Sequence, residues 1–502
     1  MQQSDFSVHH QDRAWQTLAW IAIFYLFAIR LWYIGLSNLI PEEAYYWNYG
    51  QHLDWGYLDH PPMVAWLSHL GTVLFGHNEF GVRFFSVVCW GAAATFSYAL
   101  ARDLYDRATG LFVVVLISAL PFFFTMGMLM VPDAPLTAAW AGALYFLHRA
   151  IHRDRRLAWI GAGICVGFGL LSKYSCGLLI LATLVYLVAD KSSRRWLLTV
   201  WPYLAVVMAL LFFSPVIYWN SQHDWVSFAF QTKRRVSAPF KFSWHVLLGS
   251  ILVLLSPMGA YAVGAAIRKV LRRRSQTDEA LAWSDKRVRF ALYFTGVPLA
   301  VFVIFTFSHQ PKLNWTGPLW LALLPLCAQV RMPKQFWHWS IGGLAVVYSA
   351  LLYWVLVGVP AIPYPSSFAF AAGWSQLAER TGTIEAEVRK QSGADPLLSG
   401  MDLYFTSSEL AFYDGKDGPA HCAGRHLFGE GGLMYEYWFP IQDQAGKNVI
   451  VVSSHLKDLI APNVTNRFDS LGVVDTLPID LNGQRLTAYY ARVGYGYRAP
   501  QN

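Results

Sequence analysis

Charge is scarce in this 502-residue chain: Asp, Glu, Lys and Arg together make 14% of it, against roughly 25% in ordinary soluble domains. Cysteine is rare as well. Cys89, Cys165, Cys176 and Cys327 lie in apolar runs and Cys422 stands alone in a polar region, so there is no disulfide framework and no CxxC-type metal spacing. No GxGxxG follows a strand, and no GxxxxGK[ST] or HExxH occurs, which removes the common nucleotide and zinc-protease motifs. No segment repeats at a fixed period.

What is abundant is apolar and aromatic. Hydrophobic residues make 55% and Phe, Trp and Tyr 16%, with 22 Trp. A single soluble core cannot hide that much apolar surface, and Trp and Tyr gather where hydrocarbon meets water. The composition therefore predicts a polytopic membrane protein. Taking about 20 apolar residues per crossing, eleven spans are expected near 15–38, 80–101, 108–130, 132–149, 157–172, 175–190, 196–219, 244–267, 289–308, 314–330 and 336–359. The first follows a polar leader without a small-residue cleavage site and reads as an anchor.

Lys and Arg orient the bundle, because cytoplasmic loops accumulate them. With the N-terminus inside, the inner loops hold Arg102, Arg107, Arg149, Arg153, Arg155, Arg156, Lys191, Arg194, Arg195, the stretch RKVLRRRSQTDEALAWSDKRVR, Arg331 and Lys334. Everything beyond about residue 360 is then extracytoplasmic. Residues 361–502 show strand-like alternation in NVIVVSSHL and RLTAYYARV with a turn at Asn482-Gly483, the pattern of a small α+β domain. Its net charge is −4 and that of residues 1–360 is +12, so the excess positive charge belongs to membrane loops and is not a nucleic-acid footprint.

Polar residues that break the apolar pattern carry the functional information. The densest group is PEEAYYWNYGQHLDWGYLDHPP, residues 41–62, with Glu42, Glu43, Asp54, Asp59, His52 and His60 among Tyr and Trp. A short interfacial helix is expected here, with Pro41 at its start, Glu42 and Glu43 in its first turn and its aromatics toward lipid. The two glutamates fit helix capping and they fit acid–base chemistry; the sequence leaves both open. Asp133 in VPDAPL fits a cap of the following helix. Lys173 in LLSKYS reads either as a snorkelling lysine or as a cation for a lipid phosphate or sugar acid. The outer loop 220–243 carries Lys233, Arg234, Arg235 and Lys241 against the positive-inside trend, and Arg matches phosphate oxygens. The loop near 308–315 adds Lys312 and His309, the latter an interface histidine or a metal ligand. One carboxylate to deprotonate an acceptor, with cations or a divalent metal to neutralise a departing phosphate, suits transfer from an anionic phospho-donor.

EEAYYW with DHPPMVAWL, VPDAPL, LLSKYS, KLNWTGPLW and, in the tail, YFTSSELAFYDG together resemble the bacterial branch of glycosyltransferase family 39, which includes protein O-mannosyltransferases and the aminoarabinose transferases of lipid A. The resemblance implies a GT-C helical bundle over residues 1–360, with 361–502 as a periplasmic α+β domain, in a bacterial inner membrane. It implies an inverting transfer from a polyprenyl-phosphate sugar to lipid A, lipopolysaccharide core or another envelope acceptor. The family's acidic pair, usually Asp-Glu, aligns its general base with Glu42, with Glu43 as the alternative. Asp59 takes the place of a metal-binding acid. His60 stands where the aminoarabinose transferases have a phosphate-binding Lys. A divalent metal on Asp59, His60 and His309, and phosphate contacts from Lys173, Arg234, Arg235 and Lys312, complete the expected site. A flippase for lipid-linked glycans is the alternative, which should place polar residues at the bilayer midplane on broken, repeated helices.

Overall fold

The computed structural model describes residues 2–236, 240–276, 285–330, 333–359, 362–414 and 421–500. It is mostly helical with one small sheet, and it divides into two compact units. The first comprises Met1–Ile34, His60–Val64 and Arg83–Ala350; the second comprises Gly35–Asp59, Ala65–Val82 and Leu351–Asn502.

Each expected span in the first unit falls on helical structure, but proline edits several of them. The stretch 108–130 is two helices, Arg107–Ala119 and Pro121–Met126, because Pro121 lacks the N–H that would continue the first. The stretch 314–330 is only two short turns, Pro318–Ala322 and Leu324–Ala328. Trp244–Gln276 bends at Ser256-Pro257, where Ser256 takes φ 57°. Among the described residues, five helices are long and apolar enough to cross a membrane: Glu79–Leu104, Trp201–Gln222, Trp244–Leu271, Lys286–Phe305 and Gln335–Val357. Shorter apolar helices include Thr17–Tyr33, Arg107–Ala119 and Ala158–Ser172, as well as Met63–Phe75, which the sequence reading did not single out.

The break at Pro121 explains a buried cation. Arg30, fully buried, donates to the carbonyls of Leu26 at 3.1 Å, Ser118 at 2.9 Å and Phe124 at 3.4 Å. Its guanidinium lies over the rings of Trp90 and Phe124. It thus satisfies backbone acceptors at the helix break, where hydrocarbon would leave them unpaired.

Helix Ala158–Ser172 meets Trp201–Gln222 through Gly163 and Gly167. A Cβ on Gly163 would stand 2.3 Å from the Ala205 carbonyl oxygen, and one on Gly167 would stand 2.6 Å from Phe212 Cβ. Small residues four apart let two helices approach to backbone contact. Gly163→Val is expected to cost about 3 kcal/mol by overpacking against backbone. Gly249→Ala, which meets nothing within 4 Å, should be neutral; thermal melting of both variants in one detergent checks the contrast.

The second unit holds a five-stranded sheet formed by β1 Leu397–Gly400, β2 Cys422–Ala423, β3 Val449–Ser453, β4 Phe468–Leu481 and β5 Gln484–Tyr497. The order is β2-β1-β3-β5-β4, parallel at β2-β1-β3 and antiparallel at β3-β5-β4. NVIVVSSHL contains β3 and RLTAYYARV lies in β5, as their alternation predicts. Asn482 (φ 50°) and Gly483 (φ 76°) close the β4–β5 hairpin, the left-handed pair that a two-residue turn requires. Val449, Val451, Leu427, Leu459 and Phe468 form the buried core on one face. Helices Trp374–Ser392 and Phe405–Tyr413 precede and follow β1. The helix Pro41–Gln51, from the sequence after the first span, packs on Phe405–Tyr413.

Candidate functional site

Pro41–Gln51 begins as the sequence predicts, with Pro41 in its first turn and Glu42 and Glu43 beside its positive end. The expectation that its aromatics face lipid is corrected. Nine of its eleven residues are buried, and Tyr45, Trp47 and Tyr49 are at most 2% exposed. Their partners lie some 360 residues further on. Tyr45 stacks on Tyr404 at 4.5 Å, Trp47 meets Phe412 edge-on at 5.1 Å, and Tyr49 meets Trp438 edge-on at 5.6 Å. Asn48 Nδ2 reaches the Ser408 carbonyl at 3.4 Å.

The two glutamates differ in what they touch. Glu43 is fully buried, and its Oε2 accepts the Ile40 N–H at 3.2 Å, the reach-back of an N3 glutamate to the start of its helix. Glu42 is half-buried, and the Tyr404 phenol feels its charge. The accessible carboxylate is therefore Glu42. Asp59 Oδ1 accepts from the Tyr45 hydroxyl at 3.2 Å and from the Tyr49 hydroxyl. Tyr57 stacks on Tyr49 at 3.9 Å and donates to the Tyr49 carbonyl at 2.9 Å.

Burial, reinforced by the Asp59 charge, pushes the Tyr45 and Tyr49 phenols well above their usual range. Burial first, then Glu42 and Asp59, does the same to Tyr404. All three remain protonated donors at any working pH, and donation to an ionised carboxylate favours the charged form. His52 stacks on Trp438 at 4.5 Å. Burial lowers its pKa, so it is neutral near pH 7.

A second polar group lies in the first unit. Asp133 opens the helix Asp133–His152 and is 2% exposed. The structure records no side-chain cap there; instead the carboxylate takes both Lys173 hydrogen bonds, at 2.9 and 2.8 Å, and one from Asn314 Nδ2 at 2.6 Å. Lys173 stands in extended backbone between the helix Ala158–Ser172 and the turn Tyr174–Cys176, its side chain 15% exposed. This corrects the snorkelling picture: VPDAPL, LLSKYS and KLNWTGPLW each send one side chain into a single buried ion pair. Sequence reasoning marked Lys173 and Asp133 separately and missed Asn314, whose only signal was its place in KLNWTGPLW.

The remaining expected residues are scattered over different environments. His60 is half-buried and Lys312 exposed. His309 shares a hydrogen bond with the Ser308 hydroxyl at 2.7 Å and stacks on Phe305 at 5.0 Å. The side chains of Arg234 and Arg235 lie outside the described residues. Asp59 belongs to the second unit, and His60 and His309 to the first. Among the described residues no three His, Cys, Asp or Glu side chains form a metal-holding group.

Residues 59–219 match the family model of dolichyl-phosphate-mannose-protein mannosyltransferases. The chain is 32% identical over 133 residues to undecaprenyl phosphate-alpha-4-amino-4-deoxy-L-arabinose arabinosyl transferase 2 of Proteus mirabilis, covering 25% of this chain and 24% of that protein. It is 26% identical over 357 residues to the enzyme of the same name from Pseudomonas fluorescens, covering 64% and 57%. The chain thus spans less than two thirds of the length of either relative. Its fold is that of ArnT from Cupriavidus metallidurans bound to undecaprenyl phosphate, with a TM-score of 0.62, 17% identity, and coverage of 95% of this chain and 98% of that one. The resemblance read from the motifs and the expected GT-C architecture are both borne out: this is a multi-pass membrane protein of that fold.

Proposed function

We propose that the protein is an inverting glycosyltransferase that moves a sugar from a polyprenyl phosphate to lipid A, lipopolysaccharide core or another envelope acceptor at the periplasmic face of a bacterial inner membrane. The observation that carries the reading is the division of labour in the acidic pair: Glu43 is buried and tied to its helix start, and Glu42 is the accessible carboxylate. In this reaction Glu42 takes the proton from the acceptor hydroxyl or amine as that atom attacks the anomeric carbon. The bond from that carbon to the phosphate oxygen breaks on the opposite face, its electron pair leaves on the phosphate, and the configuration inverts. A positioned base of this kind is worth roughly 10²–10⁴-fold in rate. Lys173, paired with Asp133, is the cation proposed for the phosphate, with Arg234, Arg235 and Lys312 as further proposed phosphate contacts.

The curated relatives are named for transfer from an undecaprenyl-phosphate sugar, which supports a transferase and lends nothing to a flippase. Mass spectrometry of envelope lipids from cells with and without the protein tests the proposal. A hexose, pentose, aminosugar or uronic acid missing from one lipid class in the deletion strain is expected; identical lipid profiles would refute it.

A further inference from the structure

The transfer chemistry gives no role to one end of the first unit, built from the loop 153–157 and the segment 190–200. Arg153, Arg155, Arg156, Lys191, Arg194 and Arg195 are all exposed there. The two acidic residues among them are already taken. Asp154 pairs with Arg195; the buried Asp190 pairs with Arg289 at 2.9 Å and accepts from the hydroxyls of Ser192 and Ser193 at 2.7 and 2.5 Å. The buried rings of Trp159 and Trp196 meet edge-on at 5.7 Å and hold the two segments side by side. Arg153 donates to the Asp103 carbonyl and Arg194 Nε to that of Val188, each at 2.6 Å. A guanidinium has five N–H donors, so these bonds fix the side chains and leave further donors for an anion.

Apolar side chains stand beside these cations. Leu157 is 72% exposed and Leu198 92%. Exposed Tyr203, Val206, Val207, Leu210 and Leu211 continue from them along the helix Trp201–Gln222. Their three- and four-residue spacing makes one stripe, about 12 Å long from Tyr203 to Leu211. Cations at the head of an apolar stripe match the polarity of a phospholipid. We propose that this end of the bundle seats an anionic phospholipid of the cytoplasmic leaflet, its phosphate on Arg155, Arg156 and Arg194 and an acyl chain along the stripe. Lys and Arg gather at the cytoplasmic end of a bundle, and the arginine fork matches phosphate oxygens. An acidic soluble partner would satisfy the cations and leave Leu157, Leu198 and the stripe uncovered; a lipid covers both. Asp133 and Lys173 lie at the opposite ends of the helices Asp133–His152 and Ala158–Ser172, about 20–30 Å away along their axes. The seat is therefore separate from the site proposed for the sugar donor, and it does not depend on the transferase reading.

The test is native mass spectrometry of the full-length protein in detergent, titrated with phosphatidylglycerol and with phosphatidylcholine of the same acyl chains. The wild type is expected to hold phosphatidylglycerol about tenfold or more tightly than phosphatidylcholine. Arg155→Gln, Arg156→Gln and Arg194→Gln together remove three cations, each worth about fivefold, so phosphatidylglycerol binding should weaken about 100-fold. Phosphatidylcholine binding should not change, and because both lipids are read on the same folded ions, partial misfolding does not imitate the shift in their ratio. Leu157→Ser with Leu198→Ser should weaken phosphatidylglycerol about tenfold through lost apolar contact. Arg485→Gln with Arg498→Gln, which removes two exposed arginines of the second unit, should leave binding as in the wild type. Inorganic phosphate, which lacks the chain, should not displace the lipid. Equal binding of the two lipids by the wild type, or an unchanged ratio in the triple arginine variant, would overturn the proposal. Displacement by inorganic phosphate would mark a bare anion site and overturn the assignment to a lipid.

Discussion

Glu42→Gln is expected to lower turnover by about 10³-fold with little change in donor affinity, because the amide keeps the shape and loses the capacity to accept a proton. Glu43→Gln should behave differently. Its Oε2 accepts the Ile40 N–H at 3.2 Å, so the amide weakens the start of the helix Pro41–Gln51 by about 1 kcal/mol and leaves turnover within about tenfold of wild type. Single-turnover kinetics with thermal melting of both variants separates the two roles. Equal losses of turnover would mean that the burial of Glu43 does not exclude it from the chemistry.

The second large effect concerns Lys173. Its ammonium and the Asp133 carboxylate are bound at 2.8 Å with side-chain exposures of 15% and 3%. Removing one partner of such a pair strands a buried charge, at a cost of roughly 3–5 kcal/mol. Lys173→Met should therefore lower stability by about 3 kcal/mol and abolish detectable transfer at physiological temperature. Asp133→Asn combined with Lys173→Met should recover most of the stability, since neither charge is then left alone, while transfer stays low if Lys173 meets the phosphate. Recovery of transfer along with stability would show that the pair is architectural and no more.

How much of this was legible in the sequence depends on how far apart the partners lie. Hydropathy located the helical segments, because the apolar runs are local; Pro121, Pro318 and Pro325 lie inside stretches expected as single spans, 108–130 and 314–330, which the structure divides into shorter elements. Alternation and Asn482-Gly483 gave β3, β5 and their hairpin. Pro41 and Glu42–Glu43 foretold the short helix but not its surroundings, since the rings that bury Tyr45, Trp47 and Tyr49 come from residues 404–438. Asp133 and Lys173 stood out singly as charges in apolar context, and their pairing is a tertiary fact with no local signature. Arg30 had the clearest unused signal, a lone charge within the run 15–38, which membrane energetics requires to be compensated.

In the proposed reaction the Glu42 carboxylate is the base for sugar transfer from a polyprenyl-phosphate donor. The most direct measurement is release of polyprenyl phosphate, matched to the mass gained by a lipid A or core acceptor, from purified wild-type and Glu42→Gln protein. Equimolar release and gain are expected with the wild type, and both are expected to fall about 10³-fold in the variant. Undiminished transfer by Glu42→Gln would contradict it.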